Sequence, residues 1–220
     1  MIDIHTHHLA EKDGITRVFN HTLPRDATRP TPTGLASVGL HPWFVSAQDW
    51  QHQFEQVRML ARLPNVVMIG ECGFDTLVID RLPMATQLAI VEAHLELATE
   101  VNKPVIFHCV RAFPTLIDTI KKTQPPVGLV VHGFRAKPEI AAQLIELGCY
   151  LSFGAAILQP NTNAAKALQK TPLEKICLET DDANTPIERI FAAASEQLHL
   201  DLATLTERVN LNFKALSKYE

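Results

Sequence analysis

The sequence predicts an α/β fold of the TIM-type (β/α)8 barrel class, built as one compact domain over residues 1–220. Eight short apolar runs alternate with helical patterns, which is typical of a parallel sheet. The 220 residues, 46% of them hydrophobic, can bury one substantial core and lie at the small end for this class. No linker, repeat or low-complexity segment indicates a second domain.

Each element follows from its own local pattern. The predicted strands are Met1–Thr6, Ile15–Asn20, Ala36–Leu40, Val66–Gly70, Pro104–His108, Gly128–His132, Cys149–Phe153 and Lys175–Glu179. The predicted helices are Gln48–Leu63, Pro83–Val101, Phe113–Thr123, Pro138–Leu147, Asn161–Gln169, Pro186–Leu198 and Leu202–Lys218. Pro138 and Pro186 are expected in first turns, where a missing N–H is tolerated. Thr204-Leu205-Thr206-Glu207 has the spacing of a capping box, or lies one turn inside the last helix.

The first crossover is unusually short. Only about eight residues separate the first two predicted strands, whereas a parallel crossover needs a dozen or more. We therefore expect the first helix to be missing or reduced to a turn. The stretch His21–Gly34 contains Pro24, Pro30 and Pro32 and is predicted to be an irregular loop at the rim.

Composition excludes several classes of protein. The net charge of −4 and the pI near 6.2 argue against a generally basic nucleic-acid-binding surface, although a local cationic site remains compatible with them. No apolar segment approaches the length that spans a bilayer, and no secretory leader is evident. The cysteines lie in or beside apolar runs, as reduced and buried cysteines do: Cys72, Cys109, Cys149 and Cys177. We expect a cytoplasmic protein with no membrane contact and no indicated protein partner.

Residues of the metal-ligand type end the predicted strands. His5 and His7 lie two residues apart at the end of the first strand, so their side chains point the same way. Later strands run into Glu71, His108, His132 and Asp181. In a parallel barrel these ends share one face, the face where such enzymes place their chemistry. Because burying so many unpaired titratable groups would be costly, a metal site is favoured over structural polar residues.

The number of ligands suits two divalent ions. His5, His7 and Asp181 can hold one ion, and His108 with His132 the other, while Glu71 is placed to bridge them. Two ions about 3.5–4 Å apart would polarise a phosphoryl or carbonyl group and lower the pKa of a trapped water. Asp181 could orient that water or take its proton, which makes Asp181 and Glu71 the candidate catalytic residues. Zinc, magnesium and manganese all remain possible as the metal.

Several motifs together resemble one family. They are the His-x-His start, Gly39-Leu40-His41-Pro42, Gly70-Glu71-Cys72-Gly73-Phe74-Asp75, His108-Cys109, His132-Gly133-Phe134 and Glu179-Thr180-Asp181. This ordered set, from residue 1 to about 182, resembles the TatD-related metal-dependent hydrolases of the amidohydrolase superfamily. The resemblance implies a barrel with a divalent metal centre and deoxyribonuclease activity on phosphodiester bonds, with magnesium or zinc as the metal. By motif match, the resemblance also implies that His41 contacts phosphate. The metal ligands that it implies are His5, His7, Glu71, His108, His132 and Asp181.

The departures from the family pattern concern the substrate. Val110 stands where the family has Arg, with Arg111 next, and Arg135 replaces a small hydroxyl residue. Asp182-Ala183-Asn184 follows where a proline is usual. Arg111 and Arg135 are therefore candidate phosphate contacts, while Lys137 is as well explained by solvated surface charge.

Other residues keep two interpretations each. Trp43 and Phe44 could stack a base, although packing under the rim is favoured. Asp75 is either a partner that orients a ligand or a loop cap, and Glu179 could hydrogen-bond a ligand histidine. Asp3 is expected to be structural. Cys72 and Cys109 are expected to pack as small apolar groups rather than to act as thiolates.

Three functions remain open at this point. The first is a metal-dependent hydrolase of phosphodiester bonds in DNA or another nucleic acid. The second keeps the metal centre but acts on a small phosphate ester, amide or ester. The third is a non-catalytic barrel that binds metal or a partner, and the complete ligand set weighs against it.

Overall fold

The computed structural model describes residues 1–8, 12–29 and 33–218. The strands are β1 (Ile2–Thr6), β2 (Thr16–Leu23), β3 (Ala36–Leu40), β4 (Val66–Asp75), β5 (Val105–Val110), β6 (Leu129–Val131), β7 (Tyr150–Phe153) and β8 (Ile176–Leu178). The helices are α1 (Trp50–Leu60), α2 (Met84–Val101), α3 (Phe113–Thr123), α4 (Pro138–Glu146), α5 (Asn163–Lys170), α6 (Ile187–Leu198) and α7 (Leu202–Ser217). In these described ranges, no helix is long and apolar enough to cross a membrane.

The eight strands form one sheet in the order of the chain, from β1 to β8. Every pairing whose register is described is parallel. A further parallel bridge joins Thr6, at the end of β1, to Asp181, just after β8. Sequential parallel strands that alternate with helices and pair first with last define a (β/α)8 barrel, so the predicted fold class is confirmed.

The chain divides into two compact units. Residues 20–129 form one unit, in which β4 is buried along its whole length and α1, α2 and α3 cover the strands. Residues 1–19 and 130–220 form the other, in which α7 packs on β1 and β8, and α6 packs on α5 and α7. Buried Val, Ile, Leu and Phe side chains make up the core of each unit.

The start of the chain is partly as predicted. The described residues between β1 and β2 contain no helix, in agreement with the short crossover. However, β2 continues to Leu23, so His21, Thr22 and Leu23 are strand residues and not the predicted loop. All three are buried, like Val18, Phe19 and Asn20 before them in the strand. Pro30 and Pro32 lie outside the described residues.

The predicted starts of three helices can be compared with their observed caps. Pro138 is the first residue of α4 as predicted, but Pro186 lies outside α6 as its N-cap. The cap of α7 is Asp201, whose carboxylate accepts the Thr204 N–H at 2.9 Å. The helix thus begins at Leu202 as predicted, and the capping-box spacing lies one turn inside it, which was one of the two predicted interpretations. Asp is as good an N-cap as Ser or Thr.

Candidate metal centre

A bulge in β4 positions Glu71. The strand was predicted to end at Gly70, but it continues to Asp75, so Glu71 lies within the strand and not after it. Ile69 pairs with Val105 and Cys72 pairs with Phe107, so three steps along β4 match two along β5. An extra residue of this kind re-aims the side chain at the bulge, and it does so here at Glu71.

Glycines let β3, β4 and β5 approach closely at this point. A Cβ on Gly39 would lie 2.5 Å from the Cα of Gly70, and a Cβ on Gly73 would lie 1.9 Å from the carbonyl oxygen of His108. Such distances are far inside van der Waals contact, so only glycine fits. The close approach brings the side chains carried by these strands together.

Three side chains converge in the unit formed by residues 20–129. The Oε1 atom of Glu71 lies 3.0 Å from Nδ1 of His108 and 3.2 Å from Nε2 of His41. All three side chains are buried or nearly so. Their ligand-type atoms lie within 4.8 Å of one another, close enough to hold one ion. We call this the His41–Glu71–His108 group.

Asn20 holds both the side chain and the backbone of Glu71. Its Nδ2 donates to Oε2 of Glu71 at 2.8 Å, and its Oδ1 accepts the Glu71 backbone N–H at 3.2 Å. Ser37 donates to the same Oδ1 at 3.0 Å, which orients the amide. Asn20 was not predicted as a functional residue, although its place as a polar residue at the end of a predicted strand was a signal for it.

Asp75 both orients a histidine and caps a turn. Its Oδ2 accepts from Nε2 of His108 at 3.0 Å and from the Trp43 indole N–H at 2.6 Å. Its Oδ1 accepts the Leu77 N–H at 2.8 Å, at the start of a 3-10 turn. Burial raises the pKa of Asp75, but the hydrogen bonds from His108, Trp43 and Leu77 outweigh it and leave the pKa below its usual value. Both interpretations of Asp75 therefore hold.

The ring nitrogen of His41 that carries the lone pair already accepts a hydrogen bond. Its Nδ1 accepts the Trp43 backbone N–H at 3.0 Å, so in the neutral ring the proton is on Nε2. Nε2 faces Glu71 as a donor. His41 is thereby suited to donate to an anionic oxygen rather than to offer a lone pair to a metal ion.

A second set of ligand-type side chains lies in the unit formed by residues 1–19 and 130–220. Oδ1 of Asp181 is 3.6 Å from Nε2 of His5 and 3.5 Å from Nε2 of His7. The rings of His5 and His132 have centroids 4.3 Å apart. Ligand atoms of His5, His132 and Asp181 lie within 4.8 Å of one another, and we call these residues the His5–His132–Asp181 group.

The backbone holds Asp181 against β1. The Asp181 N–H donates to the His5 carbonyl at 2.9 Å, and the His7 N–H donates to the Asp181 carbonyl at 3.0 Å. Asp181 has φ +55°, a left-handed conformation that Asp tolerates better than most residues. This exchange of hydrogen bonds explains why His5 and His7 both reach one carboxylate.

Asp3 supports the same segment, as predicted for a structural residue. Its carboxylate is fully buried and accepts the Thr180 backbone N–H at 2.9 Å and the Thr180 hydroxyl at 2.6 Å. Burial raises the pKa of Asp3 to about 6, against the lowering effect of these hydrogen bonds.

Glu179 orients His132. The carboxylate is fully buried, and its Oε1 accepts from Nδ1 of His132 at 3.3 Å and from the Gly133 N–H at 2.7 Å. The proton of His132 is thus held on Nδ1, which leaves Nε2 with its lone pair. The prediction that Glu179 bonds a ligand histidine agrees with this contact.

Comparison with known proteins fits this architecture. A family model for TatD-related DNases matches residues 2–218. The chain belongs to this family. Among curated relatives, the chain is 29% identical over 167 residues to an Escherichia coli protein named as the uncharacterized metal-dependent hydrolase YcfH. The matched stretch covers 73% of this chain and 62% of YcfH. The chain is 32% identical over 172 residues to a 3'-5' ssDNA/RNA exonuclease TatD of Citrobacter rodentium, covering 76% and 64%. The matched stretch is thus less than two thirds of these relatives' length.

Solved structures show the same fold. The crystal structure of YjjV, a TatD homologue from Escherichia coli, matches with a TM-score of 0.84 at 24% identity, covering 100% of this chain and 98% of that one. A TatD family hydrolase from Entamoeba histolytica matches with a TM-score of 0.75 at 16% identity, covering 98% and 97%. At these identities the likeness establishes the fold.

The two candidate substrate arginines of this TatD-family chain belong to different units, Arg111 to residues 20–129 and Arg135 to residues 130–220. Arg135 lines a cavity of about 140 Å³ together with Gly154, Glu179 and Asp181. Arg111 is exposed directly after β5 and has φ +54°. Arg135 therefore borders the same space as the predicted ligand Asp181.

Each of the two units brings part of the predicted ligand set together. Within its own unit, His132 lies beside His5 and Asp181. Within the other unit, His108 lies beside Glu71. The sharing of one ion by His108 and His132 stays a prediction, as does a bridging role for Glu71.

The cysteines of this TatD-family chain are all free, and three are buried. Burial raises the pKa of Cys72 well above its usual range and that of half-buried Cys109 to about 12. Both thiols therefore stay protonated at neutral pH, as expected for packing residues rather than thiolate ligands.

Proposed function

We propose that the chain is a divalent-metal-dependent hydrolase that cleaves phosphodiester bonds in nucleic acid. One observation carries this proposal: His108 and His132 each donate one ring N–H to a fully buried carboxylate, Asp75 and Glu179 respectively. The other ring nitrogen then keeps its lone pair, which for His108 lies next to Glu71. Metal-binding histidines almost always donate their other ring N–H to a carboxylate, a backbone carbonyl or water, so the residues fit a metal centre.

The donor sets also fit divalent ions chemically. In one unit the ligands would be His5, His7, His132 and Asp181, and in the other Glu71 and His108. Imidazole with carboxylate suits zinc or manganese better than magnesium, and we propose two ions per chain. Bound ions would polarise a phosphoryl oxygen and lower the pKa of a water molecule.

The side chains of the protein supply the remaining roles. His41 presents its Nε2–H as a donor to a phosphate oxygen, and Arg135 adds positive charge at the cavity beside Asp181. The Asp181 carboxylate orients the attacking water and accepts its proton, since Asp181 lines this cavity. We therefore keep Asp181 and Glu71 as the catalytic residues and His41, Arg111 and Arg135 as the substrate contacts.

The relatives support nucleic acid as the substrate class. The Citrobacter protein is named an exonuclease of single-stranded DNA and RNA, whereas YcfH is named only a metal-dependent hydrolase. DNA cleavage is thus a proposal for this chain, and so is a cytoplasmic location.

Two measurements test the proposal. Metal content and calorimetric titration with zinc, manganese and magnesium should show binding, which Glu71→Gln and Asp181→Asn weaken. Release of nucleotides from a labelled single-stranded oligonucleotide should require metal and should be lost in both variants. Glu96→Gln and Asp118→Asn remove the same charges from exposed helix positions and serve as controls. Full activity in Glu71→Gln or Asp181→Asn would contradict the assignment.

A small phosphate ester, amide or ester is the alternative substrate. The short connection between β1 and β2, whose described residues contain no helix, favours this alternative over a polymer. A panel of small phosphate esters, esters and amides, tested beside the oligonucleotide on the metal-loaded protein, separates the two. Turnover of the small substrates alone would favour the alternative. Metal binding without turnover would favour a non-catalytic barrel.

A further inference from the structure

Two aromatic side chains are exposed on the turn that follows His41. Trp43 exposes 50% of its surface and Phe44 exposes 37%, although packing under the rim was favoured from the sequence. Most other large apolar side chains of the described residues are buried. Exposed aromatic rings at a candidate active site call for an explanation, because burying them would be favourable.

Trp43 is held in place without being buried. Its indole N–H donates to the fully buried carboxylate of Asp75 at 2.6 Å, and its backbone N–H donates to Nδ1 of His41 at 3.0 Å. Both ends of the residue are therefore fixed while half of its surface faces solvent. A ring fixed in advance loses little conformational entropy when a ligand stacks on it.

The surroundings of the ring indicate what kind of ligand fits. The ring of His41 lies 6.2 Å from that of Trp43 and 5.4 Å from that of Phe44, measured between centroids. The guanidinium of Arg25 lies 5.1 Å from the centroid of Phe44. Aromatic faces, a cation and an N–H donor for an anionic oxygen thus occur side by side. A flat ring linked to a phosphate has the matching chemistry.

We propose that Trp43, with Phe44 beside it, stacks a nucleobase next to the phosphate that His41 binds. The inference rests on the proposed phosphodiesterase function and names a base-binding subsite for it. Because every base has a π-face, the subsite accepts all four bases and senses the presence of a base more than its identity. Trp43 also shares Asp75 with His108, so the indole N–H has a positioning role that is separate from stacking.

Substitutions of Trp43 separate these two roles. Trp43→Ala removes both the ring and the N–H, whereas Trp43→Phe removes the N–H but keeps an aromatic face, although a smaller one. Met59→Ala, which truncates an exposed side chain on α1, is the control. The substrates are single-stranded oligonucleotides of one length, either intact or with one nucleotide at a time made abasic.

The expected result is a difference between intact and abasic substrates. Stacking is worth about 1–3 kcal/mol per base, or about 5- to 150-fold, and a half-exposed ring should give the lower end. Trp43→Ala should raise KM for the intact oligonucleotide about 5- to 10-fold and should leave KM unchanged when the critical position is abasic. Trp43→Phe should keep KM near the wild-type value. An equal loss on intact and abasic substrates, or no loss in Trp43→Ala, would overturn the inference.

Fluorescence provides a readout that does not depend on cleavage. In a Trp50→Phe background Trp43 is the single tryptophan, since the chain has two. Titration with a nucleoside monophosphate should quench its emission, and ribose phosphate without a base should not. Quenching in a protein that cleaves no phosphodiester would support the stacking site and reject the proposed function. If the protein cleaves the oligonucleotide but neither the fluorescence quenching nor KM depends on the presence of a base, the stacking site alone is rejected.

Discussion

Acidification should destabilise the protein through one buried histidine, His94. This residue lies on α2 with no exposed surface. Its Nε2 accepts the Leu40 N–H at 3.1 Å, and its Nδ1 lies 2.7 Å from the Ile90 carbonyl, to which it donates. Both nitrogens of the neutral ring are thus satisfied. Leu40 immediately precedes His41, so the same contact fixes the end of β3.

The size of the effect follows from the pKa of His94. Burial lowers that pKa from its ordinary 6.5 to about 4, and the hydrogen bond to Ile90 offsets only part of the effect. Between these two values the unfolded chain binds a proton that the folded protein does not. Stability is therefore complete above pH 6.5 and is lost as the pH falls toward 4, by about 3 kcal/mol in total.

The assay is urea unfolding followed by circular dichroism between pH 7.5 and pH 4, on the wild type and on His94→Gln. Glutamine can accept the Leu40 N–H but does not titrate. The variant is expected to be less stable at pH 7.5 but to lose about 3 kcal/mol less than the wild type on acidification. His52→Gln, at an exposed position of α1, is the matched control. Parallel pH profiles for the wild type and His94→Gln would refute the reasoning.

Three further predictions concern the residues around Glu71 and His108. Asp75→Asn should weaken metal binding about 10- to 100-fold in calorimetric titration while the folded circular dichroism spectrum is kept, because His108 loses its carboxylate partner. Unchanged affinity would exclude that role for Asp75. Asn20→Ala should lower the free energy of urea unfolding by about 1–3 kcal/mol, since it leaves buried Glu71 atoms without this hydrogen-bonding side chain. Gly73→Ala should cost about 1–3 kcal/mol in the same assay, because the added Cβ overlaps the His108 carbonyl. A wild-type unfolding curve for either variant would contradict the geometry.

The strand order was predictable because each strand leaves a local signature. Runs such as Val66–Gly70 are short, apolar and followed by helical patterns, so their number and order are visible in the sequence. Where one strand ends is less visible. The continuation of β4 to Asp75 depends on partners in β5, and a polar Glu71 inside a buried strand has no local signal.

Which candidate ligand side chains contact one another was harder to predict than which residues are candidates. His5, His7 and Asp181 were expected to converge, and they do, because strand alternation and a shared face suffice for that inference. The bulge at Glu71 and the support from Asn20 follow from strand register, which depends on contacts distant in sequence. The exposure of Trp43 likewise depends on what surrounds the turn after His41.

In each of the two units, one chain segment carries two carboxylates that lie beside the same histidine. On β4, Glu71 faces His108 and Asp75, four residues later, bonds the other nitrogen of that histidine. After β8, Asp181 is grouped with His132, and Glu179, two residues before Asp181, accepts from Nδ1 of the same histidine. One chain segment thus carries both a candidate ligand carboxylate and the carboxylate that sets a histidine tautomer. In the Gly-Glu-Cys-Gly-Phe-Asp and Glu-Thr-Asp motifs, Asp75 and Glu179 therefore bond a histidine ring, and the other carboxylates, Glu71 and Asp181, are those we propose as metal ligands.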